Sequence, residues 1–174
     1  MKLDEKLAAP FAMGRVVHSR PTRFFVDPKT GDRTPDPTSY EVIGDETVHN
    51  VVTTAGIDFL FAQGYSTSTG ANGLNYIALS NDTVGEATSA TVLTNEIVAN
   101  GLSRAIGTYN HTASTATATV AKTFTASGAQ SCQKAALFSA GASGTMNHVL
   151  AFTQRALISS DTIAVTFTIT LASA

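Results

Sequence analysis

The sequence predicts a mainly β chain, an antiparallel β-sandwich or jelly roll with one short helix and an extended N-terminal arm. Three observations carry that expectation. Residues 162–171 alternate Ile163, Val165, Phe167, Ile169 and Leu171 with Thr162, Ala164, Thr166, Thr168 and Thr170, without a break. Successive side chains of a strand point to opposite faces, so this stretch has one apolar and one hydroxyl-rich face. From Gly101 onwards, turn residues recur at short intervals between strand-like segments, the spacing of a sandwich or jelly roll. Finally, the composition changes near residue 50. All five prolines, seven of the eleven Lys and Arg, and eight of the thirteen Asp and Glu precede that point. The chain therefore divides into an extended arm at residues 1–49 and a Thr/Ala/Gly-rich body at residues 50–174.

Bulk properties narrow the function classes. Charged residues are only 14% of the 174, which argues against charge-driven disorder. A formal net charge of -2 gives no electrostatic basis for binding nucleic acid. Cys132 is the only cysteine, so neither an intrachain disulfide nor a thiolate metal cluster can form. No apolar run approaches a membrane span, so no membrane partner is expected. The start Met1-Lys2-Leu3-Asp4-Glu5-Lys6 has no apolar run behind it, which predicts no secretory signal and synthesis in a cytoplasm.

Within the arm, Arg23-Phe24-Phe25-Val26 is a short strand candidate. Asp27 to Asp32 reads as a turn, with Pro28 setting φ and Gly31 supplying positive φ. Thr34-Pro35-Asp36-Pro37 stays extended, because a residue before proline is pushed out of the helical region. Such a segment is either a disordered leader or an arm that orders on a neighbouring subunit. Phe11, Phe24, Phe25 and Tyr40 favour the arm, as aromatic anchors that a plain linker lacks.

In the body, Thr53 to Gly64 is the helix candidate, with Thr53 or Thr54 as cap, Gly64 as stop, and Ile57, Leu60 and Phe61 on one face. Tyr65 to Gly73 is a loop, Leu74 to Ser80 a strand, and Glu86 to Asn100 irregular structure. Leu102–Tyr109, Thr115–Thr125, Gln133–Ala140 and Met146–Thr153 complete the strand set. Lys122 falls on the apolar face of its strand, which requires a bulge or an end where its ammonium reaches water. The last strand, Thr162 to Leu171, is packed on one side and wet on the other.

No motif carries catalysis. His18, His49, His111 and His148 have no metal-ligand spacing, and no nucleophile elbow or phosphate loop occurs. No cofactor is expected and the chain is read as a non-enzyme. Asp82, Glu86 and Glu96 are the carboxylates from which a glycosidase pair would be drawn, with loop and cap roles favoured. Arg104 sits in a strand with Glu96 just upstream, which predicts a structural ion pair. Cys132 reads as a small buried residue rather than a nucleophile, and His148 as a solvent-facing or satisfied structural histidine.

Asn50-Val51-Val52-Thr53-Thr54-Ala55-Gly56 and Leu74-Asn75-Tyr76-Ile77-Ala78-Leu79-Ser80 resemble the opening of small virion proteins of tailed bacteriophages. The likeness continues through Leu93-Thr94-Asn95-Glu96-Ile97, Gly101-Leu102-Ser103-Arg104-Ala105, Gly107-Thr108-Tyr109 and Lys122-Thr123-Phe124-Thr125-Ala126. It closes with Ala136-Leu137-Phe138, Phe152 and Ser160-Asp161-Thr162-Ile163-Ala164-Val165-Thr166, so it spans residues 50–171 and leaves the arm unexplained. The resemblance implies a structural virion component, either a capsid decoration (cement) protein or a tail-fibre-like one, made in the host bacterial cytoplasm. It implies the major capsid protein and further copies of itself, as trimer or dimer, as partners. Phe11, Phe24, Phe25 and Tyr40 would then anchor the arm, while Arg15, Arg20, Arg23 and Arg33 would pair with acidic capsid surface. The rival expectation is a tail, collar or fibre component binding a host-surface glycan, with Tyr65, Tyr76 and Tyr109 as its stacking platform.

Overall fold

The computed structural model describes residues 12–49, 51–53, 56, 73–85, 87–113, 115 and 117–170. These form twelve strands: β1 (Ala12–Pro21), β2 (Phe24–Val26), β3 (Arg33–Pro35), β4 (Tyr40–His49), β5 (Val51–Val52), β6 (Tyr76–Ser80), β7 (Ala105–Ile106), β8 (Thr108–His111), β9 (Thr117–Thr125), β10 (Gln130–Phe138), β11 (Met146–Leu157) and β12 (Thr162–Thr170). Ten of them make two five-stranded sheets, in the orders β4-β1-β12-β9-β8 and β5-β11-β10-β6-β7, and β2 pairs with β3. The strand pairs are antiparallel throughout. The chain is thus a β-sandwich, as its sequence predicts.

The alternating stretch occupies the centre of the first sheet. Ile163, Val165 and Phe167 are fully buried, and Thr162, Ala164, Thr166 and Thr168, which alternate with them, are half-buried on the outer face. From the first sheet these three join Val16, Val120 and Phe124, and from the second they meet Ile77, Leu79, Leu137, Leu150 and Phe152. Each such side chain stabilises the fold by about 2 kcal/mol through removal from water. Phe167→Ala, which leaves a void as well, would cost about 3–5 kcal/mol.

The centre of the second sheet is buried on both faces. Its outer side carries a smaller core of Ala78, Ala136, Phe138, Met146 and Val149, covered by Leu93 from the irregular segment after β6. Thr53 is held beside it: its hydroxyl donates to the Met146 carbonyl at 2.7 Å and accepts the Gly56 amide at 3.0 Å. That second bond has N-cap geometry, at one of the two positions, Thr53 and Thr54, expected to supply a cap. The rest of the helix candidate, and the loop after it, lie outside the described residues.

Each side of the sandwich is closed by two consecutive strands, one in each sheet. On one side β4 of the first sheet is followed in the chain by β5 of the second; on the other, β7 of the second is followed by β8 of the first. Gly107 makes the latter crossing possible. A Cβ there would lie 3.0 Å from the Ala121 carbonyl oxygen and 2.9 Å from a Val120 methyl. The strand expected from Leu102 to Tyr109 is therefore two short pieces, and Leu102 itself is a buried loop residue.

The extended arm at 1–49 requires correction. Over residues 12–49 the chain enters the sandwich: β1 lies between β12 and β4, matched with β12 from Ala12↔Ile169 to Ser19↔Thr162. The polar residues that suggested a solvated arm are partnered instead. Arg15 pairs with Asp45, Arg20 with Asp161, and Glu46 with Arg155 of β11 across the two sheets. Lys122 fits neither alternative: it lies within β9, short of its end at Thr125, and is half-buried. The β9–β12 register runs through it without a shift, and β8 stops at the preceding residue, Ala121.

Candidate partner-binding surface

β1 and β4 leave the first sheet together and continue as a narrow hairpin, residues 22–39. The last body pair is Pro21↔Tyr40, followed by the Thr22 amide on the Ser39 carbonyl at 2.9 Å. Beyond it Phe24↔Pro35, Phe25↔Thr34 and Val26↔Arg33 form a ribbon that joins neither five-stranded sheet. At about 3.3 Å per residue, the ribbon reaches roughly 20 Å past the body.

A two-stranded hairpin is marginal by itself, and this one is stiffened from within. At the tip the Asp27 amide donates to the Asp32 carbonyl and the Gly31 amide to the Asp27 carbonyl, with Gly31 at φ 76°. The Lys29 amide also donates to the Asp27 carboxylate at 2.7 Å. At the base, Asp36 accepts the Thr38 amide and hydroxyl, and these bonds hold its carboxyl below the usual carboxylate range. Along one face, the Arg33 guanidinium lies 4.6 Å from the Phe24 ring centre. A cation over an aromatic face contributes about 0.5–1 kcal/mol at an exposed site.

The apolar side chains of this region are unusually open. Phe25 is 61% and Val26 57% exposed on the ribbon, while Val42 is 56% and Ile43 45% exposed on β4, an edge strand. Ile43 is the extra residue of a bulge, since His18↔Gly44 is followed by Ser19↔Val42. Bulges and charges are devices that discourage an edge from pairing. Here the bulge presents two adjacent apolar side chains beside the ribbon. Val26, Val42 and Ile43 were not among the expected contact residues. The signal was present in the sequence, because two neighbouring strand residues cannot both face one core.

Of the eight expected contact residues, the seven that are described separate into three groups. Phe25 and Arg33 stand on the ribbon with the half-buried Phe24, and Arg23 lies at its base, 3.7 Å from Asp36 and largely solvated. Tyr40 is at the junction, its hydroxyl donating to the Ser160 carbonyl at 3.3 Å. Arg15 and Arg20 are committed internally, each to a carboxylate by two hydrogen bonds. Phe11 lies outside the described residues.

Other candidate chemistry is tied into the frame. Asp82 pairs with the buried Lys134 at 2.7 Å, and Lys134 also donates to the Val84 carbonyl. The Lys134 hydrogen bond is the main cause holding the Asp82 carboxyl below its ordinary pKa. Glu96 receives Nε and Nη2 of Arg104, the ion pair expected from sequence. Glu86 lies outside the described residues. Burial pushes the Cys132 thiol up to about 12, as an inert core residue requires. His148 is buried against Phe167 with Nδ1 unpartnered among the described residues, so neither expected setting applies. The tyrosine platform does not assemble: Tyr109 is exposed on β8, Tyr76 packs on the outer core of the second sheet, and Tyr65 lies outside the described residues. Among the described residues no group of His, Cys, Asp and Glu is placed to hold a metal ion, and no helix is long and apolar enough to cross a membrane. Comparisons with protein-family models, curated proteins and solved structures found no match.

Proposed function

We propose that this chain is a structural virion protein of a tailed bacteriophage, a capsid decoration protein that binds and braces the shell. The observation that carries this reading is the ribbon of residues 22–39, a stiff projection ending in the exposed Phe25 and Val26. A preorganised element loses little conformational freedom on docking, so its apolar tip contributes more net affinity than a loose arm would. The tip enters an apolar socket on the major capsid protein, while Arg23 and Arg33 meet acidic residues at its rim. Repetition over many copies turns a modest contact into firm attachment. The likeness of residues 50–171 to small virion proteins supports the same assignment, as does a frame in which the body's ion pairs are spent on cohesion.

The test has two parts. Quantitative mass spectrometry of purified particles is expected to find this protein in numbers comparable to the major capsid protein. Particles lacking it are then mixed with wild-type or Phe25→Asp/Val26→Asp protein. The double variant should bind at least tenfold more weakly while melting like the wild type. A handful of copies per particle would overturn decoration in favour of a tail, collar or fibre component. Undiminished binding by the double variant would remove the ribbon from the contact.

A further inference from the structure

The outer face of the first sheet has a regularity that the ribbon does not explain. Register and alternation place five cross-strand rungs on it: Thr162↔Thr125, Ala164↔Thr123, Thr166↔Ala121, Thr168↔Thr119 and Thr170↔Thr117. Arg15, Val17 and Ser19 extend three of these rungs onto β1, and Thr108 and Asn110 extend two onto β8. Thr47 and Asp45 carry the face onto β4. Across five strands its only described charges are Arg15 and Asp45, joined to each other at 2.6 Å. That pair raises the Arg15 pKa and lowers that of Asp45, so both stay ionised and mutually neutralised.

A sheet face kept in water ordinarily carries scattered Lys and Glu, which oppose association. Loss of charge is instead the compositional mark of the centre of a protein contact. Five strands span four gaps of about 4.8 Å and nine residues span eight rises of about 3.3 Å, roughly 500 Å² of plane per copy, or roughly 1,000 Å² for a facing pair. That meets the lower bound for a specific association. A neutral face of threonine methyls and hydroxyls also meets its own copy about a two-fold axis without like-charge repulsion.

We propose that this outer face is a contact between two copies of the chain, packed sheet against sheet. It takes up the self-association included in the virion reading, but rests on a different surface from the ribbon. Sedimentation velocity of the intact protein over a wide concentration range tests it. The wild type is expected to associate, and Thr119→Lys/Thr166→Lys, which places four unpaired ammonium groups in a two-fold contact, should weaken association at least tenfold. Should that variant not fold, Thr123→Lys, at an already exposed position, carries the same expectation. A wild type that stays monomeric throughout would overturn the proposal, as would association unaffected by lysine at these positions. Loss of association in Phe25→Asp with retention in the lysine variants would also overturn it, assigning the contact to the ribbon. Association without particle binding would leave this proposal standing and remove the virion reading.

Discussion

Arg20 grips Asp161 with two hydrogen bonds of 2.9 Å each, joining β1 to the turn between β11 and β12 across 141 positions of sequence. The same carboxylate also pairs with His18 Nε2 at 2.9 Å and accepts the Ile158 amide at 3.1 Å, and its side chain is fully buried. Burial works to raise its pKa, but Arg20, the Ile158 amide and His18 outweigh that and hold it below the ordinary value. Asp161→Asn would leave a guanidinium without its counter-charge, at a cost of about 3 kcal/mol. Urea unfolding should show that loss at neutral pH. Its folded pKa is depressed, so this carboxylate's stabilisation is present above the unfolded value near 3.8 and lost as pH falls through the folded one.

His148 governs a separate pH window. Burial lowers its pKa from 6.5 to about 4, so the unfolded chain binds a proton there before the folded one does. Stability is complete above about pH 6.5 and falls between there and about pH 4, by roughly 3 kcal/mol in all. Thermal melts across that range should show the decline, and His148→Phe should flatten it while leaving the further loss below pH 4.

Local patterns in the sequence disclose what local patterns determine. Residues 162–170 alternate because one face is core, and Asp27 to Asp32 closes as a turn through its own side chains. Glu96 and Arg104 are near enough in sequence to be matched by eye. β1 and β4 were hidden because their charges are answered from far away: Arg15 by Asp45, Arg20 by Asp161, Glu46 by Arg155. Read locally, each looks like a solvated residue. Lys134 misleads in the opposite direction, since a buried strand tolerates it only with Asp82 and the Val84 carbonyl delivered by the segment after β6. The ribbon was half legible, its turn and aromatics visible, its rigidity and its junction with the β4 bulge not.

Gly101 is fixed by backbone on both counts that can require glycine. It sits at φ 73°, and a Cβ there would meet the Thr125 carbonyl oxygen at 2.3 Å. That oxygen cannot swing aside, because Thr125 pairs with Thr162 of β12 and the next amide, Ala126, donates to the Asp161 carbonyl. Gly101→Ala should therefore destabilise by about 2–3 kcal/mol, combining a left-handed conformation with a displaced strand end. Denaturant titration checks it against Gly85→Ala, where a Cβ meets open space and a change within about 0.5 kcal/mol is expected.

Arg104 should not tolerate lysine. Its guanidinium lies 3.6 Å from the Phe138 ring centre, sends Nε and Nη2 to the Glu96 carboxylate, and uses Nη1 on the Ala140 and Ser143 carbonyls. It thereby ties the irregular segment before β7 to the turn between β10 and β11, over the outer core of the second sheet. A planar fork serves these partners at once; an ammonium is a point charge that satisfies fewer of them and stacks less well. Arg104→Lys should cost about 1–2 kcal/mol and Arg104→Ala about 3 kcal/mol, with much of the latter arising from the stranded, half-buried Glu96. Replacing both partners, as in Glu96→Gln/Arg104→Met, should recover part of that loss because no lone charge remains. Amide hydrogen exchange localises the effect: protection should fall first at Ile97, whose amide donates to the Leu79 carbonyl, and at Ser139, whose amide donates to Thr145. Uniform loss across both sheets would instead show that Arg104 supports the whole fold rather than the cover of its second sheet.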